Sequence, residues 1–175
     1  MLRPSGGVGI LARLVLPPKH ISVVTGAMLF LLAFGFAPAG QAATTQTRAE
    51  QSLVQVVNNV RTAHNLRPLR VDAPLVEAAR AHSSTLLRAN VFEHGSFAER
   101  IVSHGGRGPA FGENLAWGTG RFASARSILG AWMASPGHRA NLLRPGWTRI
   151  GIGALNGRFL GRKGATVVTA DFAGR

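Results

Sequence analysis

The sequence has no cysteine among its 175 residues. Disulfide bonds and thiolate metal sites are therefore excluded. A chain of this length is expected to form a single domain, and its 46% of hydrophobic residues can supply a core. A domain of about 130 residues buries roughly two-thirds of the surface of its unfolded chain, so it needs no covalent cross-link to be stable.

Acidic residues are also scarce, with seven Asp and Glu against twenty Lys and Arg. The only aspartates are Asp72 and Asp171, which leaves little material for a Ser-His-Asp triad. The sequence also lacks the HExxH, GxSxG, CxxC, EF-hand and GxxxxGK[ST] patterns. The enzyme and metal-binding classes that depend on those motifs have no support here.

Basic residues give the chain a formal net charge of +13 and are scattered along it. Scattered charge is typical of a solvated cationic surface, which attracts anionic envelope polymers or lipid headgroups. Arg139, Arg144 and Arg149 recur every five residues and form a candidate basic patch. Nucleic-acid binding is not expected, because it favours clustered charge with interleaved aromatic residues.

The N-terminal region has the order of an export signal. Basic residues come before an apolar stretch at 21–36, and small residues follow at 37–43. We predict a signal peptide over 1–43, cleaved between Ala39 and Ala43. The alternative is an uncleaved membrane anchor, although a spanning helix needs about 20 apolar residues. The protein is therefore expected to be exported, either secreted or periplasmic, or membrane-anchored if the signal is retained.

The rest of the chain reads as helices followed by strands. A flexible segment is expected at 44–50, and the i, i+3, i+4, i+7 spacing from Leu53 predicts a first helix over 49–64. Asp72, as a capping residue before Pro74, predicts the start of a second helix that ends near Ala89. Shorter helices are predicted to end at residues 102, 134 and 143.

The C-terminal part changes to a strand pattern. Apolar residues alternate with glycines over 150–154, and residues 165–172 are rich in β-forming side chains. Asn156-Gly157 between them predicts the turn of a hairpin. Helices followed by an antiparallel hairpin indicate a layered α+β fold.

Several motifs then identify a family. They are FEHGS at 92–96, GENLA at 112–116, SPGHRANLL at 135–143, IGIG at 150–153 and TADF at 169–172. In this order they resemble the CAP superfamily (cysteine-rich secretory, SCP-like and pathogenesis-related 1 domains), in its compact bacterial branch. The resemblance covers residues 51–173. It implies a three-layer α-β-α sandwich with a small antiparallel sheet and a surface cleft.

The resemblance also implies the residues of the cleft. The two family histidines fall on His94 and His138, and the first family glutamate falls on Glu113. Many eukaryotic relatives carry a further glutamate on the helix before the second histidine. That helix has no acid here, since 128–135 reads ILGAWMAS, so the family tetrad is incomplete.

These three residues leave several kinds of chemistry open. Two imidazoles and a carboxylate can form an open three-ligand zinc site with a water in the fourth position. Without a metal, Glu113 can orient one histidine as a general base. Alternatively, His94 and His138 only stabilise loops. The corresponding functions are a binding module at or outside the cell envelope, a hydrolase of peptide or envelope polymer, and a lipid- or sterol-binding module.

The other polar candidates receive structural interpretations. His82 is predicted to be a core residue of the second helix, and His64 to lie at the C-terminal end of the first, where its charge suits the helix dipole. His104 lies in a glycine-rich loop. Asn114 and Asn141 are expected to bond to the backbone rather than to a ligand.

Overall fold

The computed structural model describes residues 9–15 and 45–174. Its helices are α1 (Arg48–Ala63), α2 (Ala73–Ala89), α3 (Phe97–Ser103), α4 (Ala125–Ala134) and α5 (Pro136–Leu142), with a 3-10 helix at Gly120–Ala123. Its strands are β1 (Gly9–Val15), β2 (Arg70–Val71), β3 (Phe111–Thr119), β4 (Trp147–Phe159) and β5 (Arg162–Gly174).

The strands form one sheet in the order β1-β3-β5-β4-β2. All pairs are antiparallel except β2 with β4, so the sheet is mixed. The hairpin of β4 and β5 is present, but its predicted turn at Asn156-Gly157 is wrong. Those two residues pair within the ladder, and the turn is at Leu160-Gly161, both with positive φ. The Asn90 side chain accepts from the Leu160 N–H at 2.7 Å and holds the turn there.

Helix α1 begins inside the segment that was expected to be flexible. Thr47 and Glu50 form a reciprocal capping box, which satisfies two N–H groups at the helix start. The Glu50 carboxylate is fully buried and accepts from the Arg80 guanidinium of α2 at 2.8 Å. This ion pair fastens the first turn of α1 to the neighbouring helix.

Helix α2 packs unusually close to β4. A Cβ at Gly151 would lie 2.1 Å from the Leu75 backbone, and one at Gly153 would lie 2.4 Å from the Ala79 backbone. The glycines that alternate along this strand therefore let a helix rest on it directly. At the N-terminus of α2, Asp72 occupies the cap position without a side-chain capping bond; it pairs with Arg149 at 3.3 Å instead.

Helices lie on both faces of the sheet, which confirms the predicted α+β fold of three α-β-α layers. On one face, α2 and α3 cover Phe111 and Leu115 of β3. On the other, α1, α4 and α5 cover the main core cluster around Trp132 and Ile152. Among the residues whose burial is described, the buried apolar ones lie between Leu53 and Ala173.

The guanidinium of Arg61 is buried and ties α1 to the segment that leads into β4. It donates to the backbone carbonyls of Arg67, Leu142, Arg144 and Trp147, at 2.7 to 3.4 Å. The guanidinium supplies these buried carbonyls with hydrogen bonds that backbone N–H groups supply in helices and sheets. Burial lowers the pKa of this guanidinium.

The predicted export signal is only partly described. Residues 9–15 of the 1–43 segment form β1, whereas the apolar stretch at 21–36 lies outside the described residues. Within the described ranges, no helix is long and apolar enough to cross a membrane.

Candidate functional site

The site is built around Glu113, a fully buried carboxylate on β3. Because side chains alternate along a strand, Glu113 shares its face with Phe111 and Leu115, under α2 and α3. Its partner across the ladder is Asp171 of β5, which is also fully buried. The two carboxyl groups therefore stand side by side beneath the helical layer.

His94 is hydrogen-bonded to Glu113, as the cleft hypothesis requires. Its Nδ1 lies 2.6 Å from Glu113 Oε1, and an ionised Glu113 can only accept, which places the proton on Nδ1. The histidine comes from the α2–α3 connection, which Gly95 turns with a φ of 55°. With Nδ1 used in this way, Nε2 is the nitrogen that can serve as a ligand or base.

Arg100 and Asp171 complete the cluster, and sequence reasoning missed both. The Arg100 guanidinium on α3 donates to Glu113 Oε2 and to Asp171 Oδ1, the second at 3.4 Å. Burial raises the pKa of Glu113 to about 7, against the effect of Arg100. Burial and the Glu113 charge raise the pKa of Asp171 as well.

The second acid of this site thus comes from β5 rather than from the helix before the second histidine. The position on α4 stays without a carboxylate, as the sequence indicates. Asp171 instead reaches Glu113 from the neighbouring strand. The pairing of Asp171 with Glu113 and Arg100 was not recognisable from the sequence, because 58 residues separate Glu113 from Asp171.

His138 lies in the helical layer on the opposite face of the sheet, and its link to the cluster is an electrostatic interaction with His94. It is buried at the start of α5, where its Nδ1 lies 2.7 Å from Ser135 Oγ. The Asn114 side chain donates to the His138 carbonyl at 3.2 Å, which ties α5 to β3. Burial lowers the pKa of His138, and the nearby His94 lowers it further, whereas the Leu11 backbone raises it.

His82 lies closer to the site than its predicted core role implied. It is buried as expected, and its Nε2 donates to the Glu93 carbonyl at 3.0 Å. The same nitrogen lies 3.8 Å from Glu113 Oε2. Burial and the positive charge of Arg100 lower the pKa of His82 to about 4, so this ring is neutral near pH 7.

The remaining polar candidates have the structural roles that were predicted. His64 and His104 each donate from Nδ1 to a backbone carbonyl one helical turn earlier, at 2.8 and 2.9 Å. The Asn141 side chain donates to the Glu113 carbonyl at 3.2 Å and to Asn114 Oδ1 at 2.9 Å. These amides hold β3 against α5 beneath the two site histidines.

The three predicted ligands do not form a ready three-ligand metal set. Glu113 uses Oε1 for His94 and Oε2 for Arg100. Within residues 9–15 and 45–174, no group of three His, Cys, Asp or Glu side chains has a metal-binding arrangement. His94 and His138 remain the candidate imidazole donors, as the family resemblance implies. Glu113 stands behind His94, as carboxylates commonly do behind metal-bound histidines.

A groove of about 580 Å³ lies at the β2 edge of the sheet, away from the histidines. Its lining includes the exposed Arg67 and Arg70. The basic patch predicted from Arg139, Arg144 and Arg149 does not form as a free surface. Arg149 pairs with Asp72, and Arg144 stacks on the Trp147 ring at 5.1 Å.

The chain is similar to two uncharacterised proteins of Bacillus subtilis. YkwD is 36% identical over 109 residues, which are 59% of this chain and 41% of YkwD. The membrane protein YlbC is 30% identical over 113 residues, 62% of this chain and 32% of YlbC. This chain therefore spans less than half the length of either relative.

Two solved structures share the fold. An extracellular protein of Bacillus anthracis that contains an SCP domain superposes with a TM-score of 0.60 and 25% identity, over 73% of this chain and 40% of that one. An outer surface protein of Borrelia burgdorferi has a TM-score of 0.60 and 21% identity, over 75% of this chain and 97% of that one.

The family model named "Cysteine-rich secretory protein family" matches residues 54–172, which contain His94, Glu113 and His138. This match covers most of the chain and the whole described site. The chain therefore belongs to the CAP family.

Proposed function

We propose that this CAP domain is a binding module that acts outside the cytoplasmic membrane, with His94 and His138 as the ligand-contacting side chains of its cleft. The observation that carries the proposal is the Glu113 cluster. A fully buried carboxylate held by Arg100 costs stability unless its partners are well placed, and it fixes the orientation of one cleft imidazole.

A divalent metal is the simplest ligand for this arrangement. His94 and His138 would supply two nitrogen donors, and Glu113 would hold the His94 ring and increase its basicity. Bound zinc would offer Lewis-acid chemistry through its open positions. A two-imidazole site is expected to bind zinc more weakly than a structural site with four ligands.

Zinc titration by calorimetry tests the proposal, on the chain that begins at Thr44. One-site binding is expected, and the double variant His94→Ala/His138→Ala should lose it. The matched control His64→Ala/His104→Ala removes two histidines that bond only to the backbone or to a neighbouring serine, and it should bind like the wild type. Zinc binding that survives the first double variant would refute the role of the cleft.

Export is supported by the signal-like order of residues 1–43 and by relatives described as extracellular or outer-surface proteins. Expression in a bacterial host, followed by N-terminal sequencing of the product outside the cytoplasm, tests it. A mature N-terminus between residues 40 and 44 is expected. Full-length protein confined to the cytoplasm would contradict it.

Base-assisted hydrolysis is the second candidate, and the short His94–Glu113 hydrogen bond favours it. A carboxylate on Nδ1 makes Nε2 a better proton acceptor, which is the arrangement of a general base that activates water. A screen of peptides and envelope polymers tests it. Turnover should fall by at least about a hundredfold in His94→Ala and also fall in Glu113→Gln.

The basic surface supports an anionic partner, such as an envelope polymer or lipid headgroup. Arg67, Arg70 and Arg139 are among the exposed basic side chains. Co-sedimentation with vesicles that contain anionic lipid should fall as salt rises, because exposed charges are screened within about 10 Å at 0.1 M. Binding that is indifferent to salt would contradict an electrostatic partner.

A further inference from the structure

The outer edge of β3 is paired with the chain's own N-terminal strand. β1 runs antiparallel to β3 over seven residues, from Gly9 opposite Trp117 to Val15 opposite Phe111. β1 is the edge strand of the sheet and β3 is its neighbour. Without β1, the backbone N–H and C=O groups on that side of β3 would have no strand to pair with. An unpaired edge is a template for another strand.

The exported domain proposed above does not keep β1 on this edge. β1 lies within 1–43, so signal cleavage between Ala39 and Ala43 removes it. In an anchored protein, the apolar stretch at 21–36 would separate β1 from the domain by the membrane. On either route the β3 edge is open outside the membrane.

Side-chain contacts at the β3 edge restrict which residues a paired strand can carry. A Cβ at Gly9 would lie 2.0 Å from Trp117 Nε1 and 2.5 Å from its Cδ1, so the indole leaves room only for glycine. Two residues later, Leu11 packs against the cluster of Leu86, Leu115 and Phe159. The edge therefore fits an extended Gly-x-Leu segment whose leucine enters an apolar recess.

The same edge lies beside the candidate site. β1 lies against α5, and the Leu11 backbone is hydrogen-bonded to the His138 ring. Glu113, which holds His94, lies within the stretch of β3 that β1 pairs with. A strand on this edge therefore contacts the α5 histidine and pairs with the strand that carries Glu113.

From these contacts we infer that the β3 edge binds an extended peptide by strand addition, and that a Gly-x-Leu peptide is the ligand class of the cleft. Backbone hydrogen bonds to β3 supply the affinity, and the Trp117 and Leu11 positions supply the selectivity. This inference rests on the proposed function, because it requires the exported domain with its cleft open.

The test uses the chain that begins at Thr44, which retains the buried members of all three core clusters. Circular dichroism first confirms that it is folded. A fluorescent peptide with the sequence of residues 8–16 is titrated and followed by anisotropy, and hydrogen exchange is measured over 111–119. Saturable binding that protects these amides is expected. A folded domain that does not bind the peptide, or that binds it without protecting β3, overturns the inference.

The control peptide carries Gly9→Val. Its added side chain collides with Trp117, and overpacking of this kind is expected to weaken binding by about tenfold or more. The domain variant Trp117→Ala should restore the binding of the Gly9→Val peptide. Equal binding of both peptides to the wild type would contradict the proposed mode.

The zinc titration separates this inference from the proposed function. Zinc binding through His94 and His138 without peptide binding refutes strand addition and leaves the histidine cleft standing. Peptide binding with β3 protection but no zinc binding supports the edge and removes the metal from the proposed function.

Discussion

Replacing Arg100 with methionine is the sharpest perturbation of the buried cluster. Arg100 is the cation that contacts both Glu113 and Asp171, and only 14% of its side chain is exposed. Methionine keeps much of the apolar volume and removes the charge. Because the pKa of Glu113 is about 7, the loss of stability caused by Arg100→Met must depend on pH.

The magnitude follows from the protonation of Glu113. Near pH 5, about two units below its pKa, the carboxyl is already protonated, and Arg100→Met removes only hydrogen bonds worth about 1 kcal/mol. Above about pH 7 the wild-type carboxylate is ionised, whereas the variant, with its pKa raised further, keeps the proton. Each pH unit then adds up to about 1.4 kcal/mol, which gives about 3–4 kcal/mol near pH 9.

The direction of the pH effect follows from the linkage between proton binding and folding. The native variant binds more protons than its unfolded chain, so its stability falls as pH rises. Urea denaturation of wild type and variant at the two pH values measures this change. In Glu113→Gln/Arg100→Met most of the pH-dependent loss should disappear. An equal cost of Arg100→Met near pH 5 and near pH 9 would refute the account of the cluster.

Three further predictions concern the stability of the fold. Gly151→Ala should destabilise the domain by more than about 2 kcal/mol in thermal unfolding, because the added Cβ meets the α2 backbone. Its control is Gly130→Ala, which places a Cβ in open space on α4 and should stabilise the domain by about 0.5–1 kcal/mol. Arg61→Met should cost about 3 kcal/mol in urea denaturation, since four carbonyl contacts are lost; a cost below about 1 kcal/mol would contradict that role. Arg80→Met removes the cation from another buried carboxylate, Glu50, and should lower stability while leaving calorimetric zinc binding unchanged.

The helical half of the fold was predictable from local signals. Apolar spacing placed α1, and the Asp72–Pro74 sequence placed the start of α2, each within a residue or two. These signals work because helix formation depends on near neighbours. The capping box at Thr47 and Glu50 was missed, although its spacing was readable, because the segment before α1 was expected to fray.

The strands were harder to predict from local sequence. β3 contains GENLA, whose polar residues do not form an alternating apolar pattern; the strand is specified by β5 beside it and by Asn141 and Arg100 across its two faces. The hairpin turn was misplaced because Asn156-Gly157 is a strong local turn signal. Pairing of Asn156 with Thr166, at 2.7 Å between side-chain oxygens, outweighed that preference.

The candidate site was predictable only through the family motifs. They named His94, Glu113 and His138, and the structure joins the first two directly. Arg100 and Asp171 were missed because a buried ion pair leaves no mark on spacing, and it becomes visible only when α3 and β5 are placed against β3.

The measurement that tests the central claim most directly is imidazole nitrogen NMR of the chain from Thr44 during zinc titration. The account predicts that His94 is protonated at Nδ1 before zinc is added. It also predicts that the Nε2 signals of His94 and His138 shift together at one equivalent, while those of His64, His82 and His104 do not. A shift confined to one cleft histidine, or one at His64 or His104, would contradict the shared histidine site.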